Sequence, residues 1–216
     1  MNEESILSSI NPKIPIILAS GSESRKVMLE DAGLNFKVIT SEVNEDIIKE
    51  EFLHLSYPEK VIKLASAKAL EVSKSNPDSI VIGGDQMCVL DNVLFDKPGS
   101  TEKAIANLKQ LSGKTHYQHS GVCLFKDSKS IWEYSEAVEL NMHELSEEEI
   151  INYVKIENPI NAAGAYKFES LGCNLFSSVK GSSYTIRGMP LLPLLKALRD
   201  LDIIAVSYTH LRAHET

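Results

Sequence analysis

The sequence predicts an α/β fold built on a mixed sheet, and three observations carry that expectation. Strand-like and helix-like segments alternate through the first half, as in a layered α/β core. Two long alternating stretches, 115–125 and 129–145, follow as strands joined around Lys126-Asp127-Ser128-Lys129. No repeat, low-complexity linker or charge block divides the 216 residues. One unit over 1–204 is therefore expected, with room for a second lobe bordering a cleft.

Taken in order, IPIILAS (14–20) is a short buried strand. Ser22 offers an N-cap for a helix to Ala32, and Gly33 stops it. NFKVITS (35–41) alternates as a second strand. Ser56-Tyr57-Pro58-Glu59 is a capping box, and its helix carries Val61, Leu64, Ala65, Ala69 and Val72 on one apolar face. SIVIGGD (79–85) is an apolar strand ending in two glycines and an acid. CVL and VLF flank Asp91-Asn92, a hairpin turn. Ser100 or Thr101 caps a helix to Ser112, ended by Gly113, and Ser146 to Glu149 form a second capping box. A polar stretch (158–172), a strand (173–179) and a helix from Pro190 to Asp200 complete the unit. Residues 205–216 change character, with polar residues, His210 and His214 and no amphipathic period. They are expected to be a non-native or disordered tail.

Composition excludes several classes. The net charge of −8 disfavours a nucleic-acid polymer as partner, while a few local cations still allow a small anionic ligand. Cys88, Cys123 and Cys173 lack CxxC spacing and read as reduced thiols in strands. The N-terminus opens acidic, and Pro15 interrupts its longest apolar run. Neither a signal peptide nor a membrane span is expected, so the cytoplasm is the expected location.

Chemistry concentrates in a few places. SGSESRK (20–26) lies between a strand and a helix N-terminus, where free N–H groups and the helix dipole suit phosphate. Ser20, Ser22, Arg25 and Lys26 fit that use; an ordinary capped helix with solvated cations is the alternative. Asp85, at the expected carboxyl end of a central strand, could bind a cation, accept a proton from water, or simply hold a turn. Lys68 falls on the apolar face of its helix, so it either snorkels or reaches into a cleft holding an anion. Lys97 is a further cation, stiffened by Pro98. Glu45 and Asp46 read as acids of a polar loop that could share magnesium with Asp85. His54, His116, His119 and His143 show no ligand spacing and read as structural or surface residues; Trp132 reads as core or interface.

In this order the segments ILASGSESRKVMLEDAGLNFKV, SEVNED, ASAKAL, VIGGDQMCVLDNVLFDKPGSTEKA, LSGKTHY, ENPINAAGAYKFESLG and GMPLLPLL resemble the Maf family of nucleotide pyrophosphatases, over roughly 14–200. The resemblance implies an elongated, twisted mixed sheet flanked by helices, with two lobes around a deep cleft. It implies a homodimer acting on a nucleoside triphosphate, with a divalent metal (magnesium or manganese) and cleavage between the α- and β-phosphates. Ser20, Ser22, Arg25, Glu45, Lys68, Asp85 and Lys97 match the family's active-site motifs, with Asp85 in the acid/base position and Glu45 and Asp85 as metal carboxylates. Gln86 and Glu169 look like the branch that prefers 7-methyl-GTP, where the dTTP/UTP branch has threonine and glutamine. A carboxylate suits the N1–H and 2-amino donors of guanine and a base made positive by N7 methylation.

The chain also departs from the pattern. Glu23 stands where the family usually has proline, and Ser24, a candidate for base specificity, where it has arginine or tryptophan. Ala162 replaces a lysine of the dTTP/UTP branch, and Ser182-Ser183 an acidic glycine-rich turn. Two other functions compete: a nucleotide-binding regulator of cell division without turnover, and a pyrophosphatase for deaminated purines such as ITP. The full set of acids and bases favours turnover.

Overall fold

The computed structural model describes residues 10–205. The first nine residues and 206–216, with His210 and His214, lie outside the described residues. The chain runs β1 (Ile16–Leu18), α1 (Glu23–Asp31), β2 (Lys37–Val38), α2 (Glu45–Glu51), α3 (Tyr57–Lys74), β3 (Ile80–Leu90) and β4 (Val93–Phe95). It continues with α4 (Thr101–Leu111), β5 (Thr115–Lys126), β6 (Lys129–Met142), α5 (Glu147–Glu157), β7 (Phe176–Lys180), α6 (Ser183–Ile186) and α7 (Leu191–Asp200). Two short 3-10 turns, Ala163–Ala165 and Leu171–Leu175, precede β7.

Local chemistry explains most boundaries. Ser22 caps α1 by accepting from the Arg25 amide, and Gly33 leaves the helix at φ 71°. Both capping boxes form, at Ser56–Glu59 and Ser146–Glu149. Asp91 and Asn92 both adopt left-handed φ, as a two-residue hairpin requires, and so do Asp127 and Ser128 between β5 and β6.

The strands make one seven-stranded mixed sheet in the order β2-β1-β3-β5-β6-β7, with β4 also on β3. β2, β1 and the start of β3 are parallel, and the remaining pairs are antiparallel. Along β3, one edge pairs with β5 from Val81 to Val89. The opposite edge pairs with β1 only over Ile80–Ile82 and with β4 only over Cys88–Leu90. Residues 83–87 therefore face a gap between two neighbours. That gap is where the cleft opens.

Alternation along β3 divides the core. Ile80 and Ile82 join α1 and α7 in one apolar cluster, while Cys88 and Leu90 join α4 and α5 in another. Gln86 falls between those clusters. On the opposite face Val81 packs with Ala65 and Ala69 of α3, and Met87 and Val89 with Val61 and Leu64. Close packing of α3 needs glycine beneath it: a Cβ at Gly83 would stand 2.2 Å from the Ala65 carbonyl oxygen, and one at Gly121 2.8 Å from the Val61 carbonyl carbon.

Several expectations need correction. Asp85 is not at the carboxyl end of its strand but in the middle of β3, because Gly83 and Gly84 remain extended to admit α3 and Arg25 and make no turn. The segment CVL is accordingly part of β3. Glu45 and Asp46 are not loop residues: Asn44 accepts from the Asp46 and Ile47 amides and starts α2. The strand expected over 35–41 shortens to two residues, and that over 173–179 begins at Phe176. Cys173 lies exposed in a 3-10 turn, whereas Cys88 and Cys123 are buried in strands as expected.

Candidate active site

A cleft of roughly 960 Å³ opens at the β3 gap. Its wall includes the 20–25 segment after β1, α2, α3, mid-β3, the 161–169 segment and the turn after α6. Ser20, Ser22, Ser24, Arg25, Glu45, Lys68, Asp85, Gln86, Lys97 and Glu169 all line it. Lys26 does not: it is paired on the surface with Glu23 at 3.3 Å and Glu30 at 3.9 Å on its own helix.

Lys68 is the centre of the arrangement. Its helical position points it under β3, where its Nζ lies 2.6 Å from Asp85 Oδ1 and 2.8 Å from Glu45 Oε1. Asp85 and Lys68 are both buried, and Glu45 is partly open to solvent. One ammonium thus joins an acid from mid-β3 to an acid from the first turn of α2. Burial of such a pair is tolerable only because each charge is answered by the other.

Arg25 approaches from α1. Its Nε donates to the Gly188 carbonyl at 2.8 Å and its Nη1 to Ser20 Oγ at 3.0 Å. Burial weighs against its charge, which Asp85 and Glu45 support. Gly84 makes this possible, since a Cβ there would stand 3.0 Å from the Arg25 Nε. The Ser22 amide in turn donates to Ser20 Oγ at 3.3 Å, so Ser20 ties the strand end to the helix start.

Burial alone would raise the Glu45 carboxyl, but the charge and hydrogen bond of Lys68, backed by Lys97 and Lys49, hold it below its usual range. A group with a depressed folded pKa contributes stability that is present above its unfolded value, about 4.3, and is lost as pH falls through the folded value. Glu45→Gln is therefore expected to lower the urea midpoint at pH 7 and to match the wild type at strongly acid pH. A deficit that does not change with pH would contradict this.

The other candidates stay out of the chemistry. His116 is buried, with its Nε2 3.0 Å from the Tyr166 hydroxyl, and burial pushes its pKa down to about 4. Burial pushes the thiols of Cys88 and Cys123 up to about 12, leaving them unreactive. Trp132 packs at the edge of the α1/α7 cluster and stacks on Tyr134.

The structure adds residues that sequence reasoning missed. Lys49, paired with Asp96 at 2.9 Å, lines the cleft, as do Lys167 and Arg187. Lys49 was legible in principle, since Asn44 is a good N-cap and places it one turn after Glu45. Lys167 and Arg187 lie in irregular segments without a periodic signal. Tyr166 closes the same wall, its hydroxyl accepting from Gln118 Nε2 at 2.8 Å.

Comparisons with known proteins find likenesses along nearly the whole described chain. The model of the family described as Maf-like protein matches residues 15–201. A nucleoside triphosphate pyrophosphatase of Legionella pneumophila is 42% identical over 192 residues, covering 89% of this chain and 96% of its own. A protein of the same name from Bradyrhizobium diazoefficiens is 40% identical over 197 residues, covering 90% and 97%. Among solved structures, the nucleoside-triphosphatase / dITP/XTP pyrophosphatase of Mycobacterium abscessus covers 91% of this chain and 100% of its own at 14% identity, with a TM-score of 0.40. That last likeness is too loose to bear on function.

Proposed function

The chain belongs to the Maf family, and from that premise we propose that its cleft hydrolyses a nucleoside triphosphate to the monophosphate and pyrophosphate. The supporting observation is the Glu45–Lys68–Asp85 arrangement, buried at the β3 gap and facing the start of α1. In this reading the phosphate chain lies between the α1 N-terminus and Lys97, with Ser20, Ser22 and Arg25 donating to its oxygens. Asp85 accepts a proton from water, the water oxygen adds to phosphorus on one side of the α–β bridge, and that bridge breaks to release pyrophosphate. Lys68 fixes the Asp85 carboxylate and balances its charge. Such positioning and charge balance carry most of phosphoryl-transfer catalysis.

A divalent cation suits the residues present. Glu45 and Asp85 are hard oxygen donors that meet at the Lys68 ammonium through Oε1 and Oδ1, so Oε2 and Oδ2 are the atoms that would reach a cation. Magnesium is commonly held by one or two carboxylates with phosphate and water completing its shell. Among the described residues no group of three or more His, Cys, Asp or Glu side chains forms a fuller cage. When bound, the ion would neutralise phosphate charge.

For the base we propose 7-methyl-GTP. Glu169 offers an exposed carboxylate on the cleft wall for the donors of a positively charged guanine. Gln86 spends its amide on the carbonyls of Thr185 at 3.2 Å and Ile186 at 2.7 Å, so it shapes the facing wall. The same reading has a homodimer working in the cytoplasm; among the described residues no helix is long and apolar enough to cross a membrane. The test is a triphosphate panel with magnesium, scored for pyrophosphate. Release from 7-methyl-GTP is expected to exceed that from dTTP, UTP, GTP and ITP. Faster dTTP or UTP turnover would move the chain to the other branch, and no release from any would leave a nucleotide-binding regulator.

A further inference from the structure

Within the functional reading above, we propose that Arg187 is a substrate-binding residue whose guanidinium donates to an oxygen of the bound nucleotide. Six cations line the cleft, and four of them already bond to protein groups. Lys68 holds Glu45 and Asp85, and Lys49 holds Asp96. Lys167 donates to the Glu157 carbonyl at 2.8 Å, and Arg25 donates through Nε and Nη1 to Gly188 and Ser20, with Nη2 left for the phosphate chain of the reading above. Lys97 already has a place in the reading as a phosphate ligand.

Arg187 differs from those four. Among the described residues no carboxylate pairs with it, and its Nε is buried without a hydrogen-bond acceptor. An N–H withdrawn from water and given no partner carries its full desolvation penalty. Arginine offers five donors in a rigid fork, so a ligand oxygen reaching this side chain would relieve that penalty directly.

The backbone around Arg187 is fixed more firmly than so short a turn needs. Ser24 Oγ donates to the Arg187 carbonyl at 3.0 Å, and Arg25 to its neighbour Gly188. On the other side Gln86 donates to Thr185 and Ile186, and Ser120 Oγ donates to the Thr185 carbonyl at 2.8 Å. Thr185 Oγ1 donates to Glu136 Oε2 at 2.6 Å. Tethers from α1, β3, β5 and β6 thus hold the peptides on both sides of Arg187, a residue of the cleft wall. This is how a fold presents a binding group in a set direction.

The shared chemistry is an oxygen acceptor, and it has two sources: a phosphate oxygen, or an oxygen of the base or sugar. The test uses the α,β-methylene analogue of whichever triphosphate the wild type turns over fastest, with inorganic tripolyphosphate alongside. Arg187→Ala is expected to weaken analogue binding about tenfold or more by calorimetry, the effect of losing a charge-assisted hydrogen bond. KM should rise with it, and kcat should stay within about threefold where the partner is a base or sugar oxygen but fall where it is a phosphate oxygen, whose charge grows at the reacting phosphorus. Weakened tripolyphosphate binding would identify a phosphate oxygen; unchanged tripolyphosphate binding would identify the base or sugar. Should the alanine variant not fold, Arg187→Gln keeps the stem and is expected to weaken the analogue similarly. Wild-type affinity in a folded variant overturns the proposal alone. A wild type that neither binds nor turns over any triphosphate overturns the functional reading, and this inference falls with it.

Discussion

Replacing Asp85 by asparagine is expected to lower kcat by at least about a hundredfold, the usual span for loss of acid/base participation. The substitution changes almost nothing sterically. Asp85 sits in mid-β3 with 6% of its surface exposed, and an amide fills the same space while still offering Lys68 an oxygen. What it cannot do is accept a proton from water or answer the ammonium with a full charge. The expected signature is a kcat loss with a small change in KM, in a variant that still folds but has a lowered thermal midpoint, because the buried Lys68 ammonium keeps only Glu45 as a charged partner. A folded variant with a near-normal rate would make Asp85 a structural partner of Lys68 and nothing more.

Lys68→Met should be more damaging to stability, because it strips the cation from two acids at once and costs turnover as well. Methionine matches the lysine stem, but it leaves Asp85 buried and Glu45 half-buried with no ammonium between them. Breaking a buried pair from one side costs about 3–5 kcal/mol, and Arg25, which still faces Asp85, should hold the loss near about 3 kcal/mol. The deficit should shrink as pH falls, since a carboxylate without its cation escapes the penalty by taking up a proton. Urea unfolding at pH 7 and pH 5 reads both parts. Equal stability at pH 7 would mean that the three side chains are not coupled in the folded protein.

Much of this fold was legible because its signals are local. Caps at Ser22, Ser56, Ser100 and Ser146, the αL glycines Gly33 and Gly113, and the turn at Asp91-Asn92 each depend on a few neighbouring residues. Lys68 was legible for a different reason: a charge on an apolar helical face has to find a partner. The errors came where tertiary contacts override local preference. Gly83-Gly84 looks like the end of a strand, yet α3 and Arg25 press against it and the strand continues to Leu90. The rule that places candidate site residues at strand ends fits β1, which ends just before Ser20 on the cleft wall, and does not fit the strand of Asp85. Lys26 has the same local context as Arg25, but one step along a helix turns it by about 100° to the surface. Arg187 had no local signal at all. The tethers around it come from four elements, which only the assembled fold displays.

The central claim is that this cleft breaks the bond between the α- and β-phosphates. Product analysis of a single nucleoside triphosphate, incubated with the wild type and magnesium, tests it most directly. Monophosphate and pyrophosphate should form in equal amounts from the first turnover, with no diphosphate intermediate and no early orthophosphate. Diphosphate and orthophosphate as the initial products would place the cut at the γ-phosphate and contradict the account.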